Sequence, residues 1–117
     1  MPSPGAPATL SDAQYHEAIA ATLARIEKTV DTWLQDDVID IDAARTGGML
    51  TLSLPDRSQL IVNAQPPLHE LWLAARRGGF HFKLDEQGAW RDTRSGEEFF
   101  ELLSACAGEQ ARQALRF

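Results

Sequence analysis

The spacing of apolar residues changes period twice along this chain, and that order restricts its fold more than any other feature. From Ser11 onward Tyr15, Ile19, Leu23, Ile26, Val30 and Trp33 recur at steps of three and four. That is the buried stripe of a long amphipathic helix. Ser11 and Gln14 fit a capping box, Leu10 and Tyr15 fit its hydrophobic staple, and the helix is expected to end near Leu34. The period then falls to two. In Asp37-Val38-Ile39-Asp40-Ile41-Asp42 the isoleucines take one face and Asp40 and Asp42 the other, so a first strand is expected over 37–42. A Gly47-Gly48 turn leads to the alternating Leu50, Leu52 and Leu54. Leu60–Asn63, Leu71–Ala74, the alternating Phe80, Phe82 and Leu84, and Ala89–Arg91 read as further strands. A second capping box, Ser95 with Glu98, is expected to open a second helix. It carries Phe99, Leu102, Leu103, Cys106 and Ala107 inward and continues to Leu115.

Hairpin-length connections favour antiparallel pairing, and two terminal amphipathic helices most simply cover one face of the resulting sheet. The expected fold class is therefore α+β, a two-layer sandwich with both helices on one face of an antiparallel sheet of about six strands. The length of 117 residues suits one domain over 11–117, preceded by a flexible tail over 1–10 that is rich in proline. The uncovered face of such a sheet meets solvent, so any large side chain there requires an explanation.

Charge supplies the first functional constraint. The formal net charge is −6, and all of it lies between Asp12 and Asp42. Asp12, Glu17, Glu27, Asp31, Asp36, Asp37, Asp40 and Asp42 are opposed there only by Arg25 and Lys28. At 100° per residue, His16, Glu27 and Asp31 fall within about 60° of one another on the helix, with Asp12 near that stripe. If the helix runs antiparallel to the first strand, these groups and Asp36, Asp37, Asp40 and Asp42 form a ridge along one edge. Carboxylates are hard donors suited to Ca²⁺, Mg²⁺, Mn²⁺ or ferric iron, and an imidazole adds affinity for ferrous iron. The spacing is not that of an EF-hand. At most it supports an open, weak, multi-ion surface, and an acidic run taken alone favours a solvated face.

The second constraint is the block from Asn63 to Ala74. Leu71 and Leu73 claim the core, which sends Trp72 and Glu70 to the open face, and Asn63 and Gln65 share a face of the preceding strand. An exposed Trp flanked by amides is a favoured interface anchor, and Arg76, Arg77 and His81 are expected to add a basic rim.

Several classes are disfavoured. The acidic balance argues against nucleic acid. The longest apolar run, Leu71 to Ala75, is too short to cross a bilayer. One cysteine, Cys106, allows no intramolecular disulfide and no cysteine-held cluster, so a reducing cytoplasm is the expected setting. There is no glycine-rich phosphate loop and no nucleophile elbow. His69 and His81 lack triad spacing, and Cys106 is expected to be a buried, inert thiol. The chain is not expected to be an enzyme.

These residues resemble the bacterial frataxin family, of the CyaY type. The likeness runs from about Ser11 to Leu115. It is carried by Asn63-x-Gln65-x-Pro67, by Leu71-Trp72-Leu73-Ala74, by Gly78-Gly79-Phe80-His81-Phe82, and by Trp90 with Asp92-x-Arg94-Ser95-Gly96-Glu97. The resemblance implies weak, exchangeable binding of ferrous and ferric iron by Asp12, His16, Glu27, Asp31, Asp36, Asp37, Asp40 and Asp42. It implies a role in iron–sulfur cluster assembly as iron donor or regulator. The partners it implies are the cysteine desulfurase and the scaffold protein, met by Asn63, Gln65 and Trp72, with no cluster bound to the chain itself. A monomer is expected; the rival reading, an iron-oxidising or iron-storage protein, requires iron-driven oligomers. Lys28, Thr32 and Leu34 stand where more acidic bacterial members of the family often carry carboxylates, which thins the ridge, and Lys83 stands where an acid often follows the Phe-His-Phe run.

Overall fold

The computed structural model describes residues 9–117. Most of the expected tail lies outside the described residues; within it, Leu10 packs against the core. Helix α1 spans Asp12–Gln35. Its start is the expected capping box. The Ser11 hydroxyl accepts the Gln14 N–H at 3.1 Å, and the Gln14 side chain accepts the Ser11 N–H at 2.9 Å. The stripe of Tyr15, Ile19, Leu23, Ile26 and Val30 is buried.

The sheet has six strands: β1 (Asp42–Thr46), β2 (Met49–Ser53), β3 (Gln59–Gln65), β4 (Glu70–Ala75), β5 (Gly78–Leu84) and β6 (Trp90–Asp92). They lie in sequence order, and every neighbouring pair is antiparallel. One face carries Leu50, Leu52, Leu60, Val62, Leu71, Leu73, Phe82 and Trp90 into the core. Helix α2 (Phe99–Ala111) adds Phe99, Leu102, Leu103, Cys106 and Ala107 to that core. Burial pushes the Cys106 thiol above its usual range, as a thiol without a reactive role would be. No helix among the described residues is long and apolar enough to cross a membrane.

Two boundaries differ from the sequence expectation. The strand expected over 37–42 begins only at Asp42. Helix α1 ends with Asp37 in the left-handed region at φ 57°, and the Val38 N–H returns to the Trp33 carbonyl at 2.8 Å. Beyond β2, Leu54 turns away to bond Ser58, and Pro55 has no N–H to offer. Residues 38–41 therefore run beside the sheet without a ladder partner. Their alternation survives as burial alone, with Ile41 buried and Asp40 exposed. The second helix starts at Phe99, and its N-cap is Glu98, whose carboxylate accepts the N–H groups of Phe100 and Glu101. Ser95 instead belongs to a closed turn, in which the Asp92 carboxylate accepts the N–H groups of Arg94 and Ser95. Leu115 is buried beyond the helix, after Arg112 turns the chain at φ 57°.

One polar group inside the fold sets a pH dependence. The Asp85 side chain is fully buried at the β5–β6 hairpin. Burial pushes its carboxyl up, but the N–H groups of Ala89 and Gln87 and the Arg91 guanidinium outweigh that and hold it below the usual carboxylate range. A carboxyl lowered on folding stabilises the native state above its unfolded pKa, near 3.9, and that contribution is lost as pH falls through the folded value. Asp85→Asn is expected to cost about 2–3 kcal/mol at pH 7, because one charge-assisted bond is lost and an N–H meets other N–H groups. Melting curves of both proteins should converge as pH drops below about 4. A constant gap down to pH 2 would contradict this account.

Candidate functional site

Two surfaces collect the residues singled out in the sequence. The first is the open face of the sheet. The ladder sets Asn63 opposite Trp72, and Gln65 opposite Glu70. On the other side of β4, Trp72 faces His81 and Glu70 faces Lys83. The Trp72 and His81 rings stack with centroids 4.1 Å apart and planes 7° from parallel. The indole Nε1–H donates to the Glu70 carboxylate at 2.8 Å.

Glu70 is the residue that sequence reasoning underrated. Although it lies on the open face, only 8% of it is exposed, and the Lys83 ammonium lies 3.7 Å from its carboxylate. Glu70 and His81 together fix the orientation of Trp72. Period-two alternation placed Glu70 and Trp72 on one face, but nothing in the sequence specified the register that brings His81 and Lys83 alongside. The expected basic rim is reduced to His81, because Arg76 pairs with Asp56 at 3.3 Å and Arg77 with Glu109 at 2.9 Å.

Behind this face, Tyr15 of α1 anchors the β3–β4 connection, which includes a 3₁₀ turn at Pro66–Leu68. Its hydroxyl donates to the Glu70 carbonyl at 2.5 Å and accepts the Gln65 N–H at 3.0 Å. Burial pushes the Tyr15 hydroxyl up, so it remains a neutral donor. Its ring stacks on His69, whose Nε2 lies 2.6 Å from the Asp12 carboxylate.

The second surface is the acidic edge. Glu27 and Asp31 of α1 meet Asp40 and Asp42 around an open depression of about 540 Å³, together with Lys28, Val30, Leu34, Ile41 and Ala43. Asp36 and Asp37 close α1 at the same end. Asp12 and His16 are not part of this group. They sit toward the far end of the helix, about 17–29 Å from Glu27 and Asp31 at 1.5 Å per residue. Asp12 is engaged with His69 there, and His16 stands edge-on to Tyr15. Glu27 is itself ion-paired, to Arg45 on β1. The helix-stripe argument could not foresee either partner, because both come from elements distant in sequence. Among the described residues, no salt bridge reaches Asp31, Asp36, Asp37, Asp40 or Asp42.

The edge is thus a set of solvated carboxylates with few counter-charges. Among the described residues, no three His, Cys, Asp or Glu side chains converge closely enough to hold a metal ion. What the arrangement offers is one or two oxygen ligands per ion and a negative field focused at one side of the molecule.

The frataxin-like domain model matches residues 8–113. The iron-sulfur cluster assembly protein CyaY of Paraburkholderia xenovorans is 47% identical over 108 residues, covering 92% of this chain and 98% of that protein. Among solved structures, a frataxin from Psychromonas ingrahamii superposes with a TM-score of 0.80 at 31% identity, over 92% of this chain and 97% of that one. Yeast frataxin superposes with a TM-score of 0.70 at 26% identity, over 86% and 83%. With the helix-flanked meander, the fixed Trp72 and the acidic edge in place, these likenesses settle the family: this chain is a member of the frataxin-like family, of the CyaY type.

Proposed function

We propose that the chain is a non-enzymatic, iron-binding protein of cytoplasmic iron–sulfur cluster assembly, which docks on the cysteine desulfurase and its scaffold as iron donor or regulator. The observation that carries this reading is the set Asp31, Asp36, Asp37, Asp40 and Asp42, exposed carboxylates that no salt bridge reaches among the described residues, at one edge of a scaffold that is nearly half identical to a CyaY assembly protein. Exposed carboxylates in ones and twos hold hard cations weakly and release them quickly, which suits delivery better than storage. The same field steers the chain toward a basic patch, with an on-rate that falls as salt rises. Trp72, held by Glu70 and His81 with Asn63 alongside, supplies the directional contact.

The test is reconstituted cluster assembly with a bacterial desulfurase, its scaffold, cysteine and ferrous iron. Adding this chain is expected to change the rate saturably near one equivalent per desulfurase, and the size of the change is expected to depend on iron. A rate indifferent to the chain at every iron level would overturn the reading. Size-exclusion under iron and air addresses storage: growth into large iron-filled oligomers would replace the donor reading with a storage one.

A further inference from the structure

The acidic depression runs along a free edge of the sheet. Strand β1 is terminal in the strand order and pairs only with β2 among the described residues. Its register follows from the two-residue turn at Gly47-Gly48, which makes Thr46 and Met49 a hydrogen-bonded pair. Bonded pairs then alternate, so Ala44 and Asp42 bond to β2. The N–H and C=O groups of Ala43 and Arg45 point away from the sheet.

Edges are usually blunted by a very short strand, charged side chains (Lys above all), Pro, a bulge or a covering segment. The opposite edge has such a device: β6 is three residues long, and Arg91 is bridged to Glu98. Among the described residues, β1 has no Lys, no Pro and no bulge, and its charged residues are Asp42 and Arg45. Ala43 and Ala44 are small, and the Arg45 side chain is drawn toward Glu27 on the helix side.

Resting on the reading that the acidic edge docks a basic partner, we propose that the partner segment is an extended basic peptide that adds to β1 as a seventh antiparallel strand. Its backbone bonds the outward groups of Ala43 and Arg45. In an added strand, side chains alternate between the two faces of the sheet. Those on the helix side pass over the depression, toward Glu27, Asp31 and Asp40. The matching segment therefore carries Lys or Arg at every second position, with small or β-branched residues between. A contiguous basic run would aim half of its charge at the open face, where Asp42 is the only acid of β1 and β2.

The test uses a blocked eight-residue peptide that alternates Lys and Val, measured by fluorescence anisotropy at low salt. In an antiparallel addition, the residues on the helix side are those whose N–H groups face β1. N-methylation of the Lys residues is expected to weaken binding about tenfold or more, the equivalent of two lost hydrogen bonds, while N-methylation of the Val residues leaves it nearly unchanged. On the protein, Ala43→Pro removes an outward N–H that the β1–β2 ladder does not use, and is expected to cost a similar factor with little change in melting temperature. If that variant fails to fold, the two methylated peptides decide the matter alone. Equal binding by both methylated peptides would overturn strand addition and leave docking by charge intact. Failure of the parent peptide to bind at low salt would overturn both.

Discussion

Trp72→Ala is expected to weaken binding to the desulfurase–scaffold complex by about 30-fold or more while lowering the melting temperature by only a few degrees. A fixed aromatic at the centre of an interface commonly contributes about 2 kcal/mol or more, and each 1.4 kcal/mol is a factor of ten. Trp72 has the attributes of such an anchor. It lies on the uncovered face, only half-buried, and Glu70 and His81 hold it in one orientation, so little side-chain entropy remains to be lost on docking. Its truncation removes one hydrogen bond and one ring stack, for about 1 kcal/mol of stability. That corresponds to about 4 °C for a domain of this size.

Trp90 is the control. It is 2% exposed, stands edge-on to Tyr15 and donates its Nε1–H to the Thr22 hydroxyl at 2.9 Å. Trp90→Ala should cost about 3–5 kcal/mol, with any loss of binding following from unfolding. If Trp72→Ala destabilises the protein as much as Trp90→Ala does, Trp72 is a core residue. If its binding is unchanged, the open face is not the contact.

The second large effect is expected from replacing Asp31, Asp36, Asp37, Asp40 and Asp42 together with Asn. Each exposed charge contributes about 0.5 kcal/mol to a complementary contact at low salt, so the set should account for on the order of a 100-fold loss in affinity for a basic partner. Most of that loss should appear in the association rate and should shrink as salt is added. Weak iron binding should fall with it. Stability should move the other way, because these carboxylates repel one another and have few counter-charges. The substitution is mild for the backbone, since Asn tolerates the left-handed conformation of Asp37 as well as Asp does. The melting temperature of the parent chain should rise with salt or with a bound divalent cation, and that of the variant should not. If iron binding vanishes while the assembly rate keeps its iron dependence, the donor role fails and the regulator role remains. A parent melting temperature indifferent to salt and to divalent ions would remove the repulsion argument.

Much of this molecule was legible from local physics. Steps of three and four in α1 fixed its buried stripe, and Ser11 with Gln14 fixed its start, because both depend only on residues within a turn or two of one another. Alternation likewise placed Leu71 and Leu73 inside and Trp72 outside. The misjudged elements were those whose state depends on a neighbour. A strand needs a ladder partner, and residues 38–41 have none once Leu54 and Pro55 turn away, so their alternation produced burial without pairing. Ser95 could cap a helix by composition, but the Asp92 turn claimed it first.

The candidate site divides in the same way. The confinement of the excess negative charge to Asp12–Asp42, the helix face shared by Glu27 and Asp31, and the exit of Trp72 from the core could all be read along the chain. The folded arrangement added that His69 holds Asp12, that Arg45 holds Glu27, and that Asp40 and Asp42 join Asp31 around one depression. It alone decided that Glu70 and His81 orient Trp72. The physical reason is range. Periodicity and capping act within a few residues along the chain, whereas strand register and ion pairing join groups tens of residues apart, and those are chosen only when the core closes.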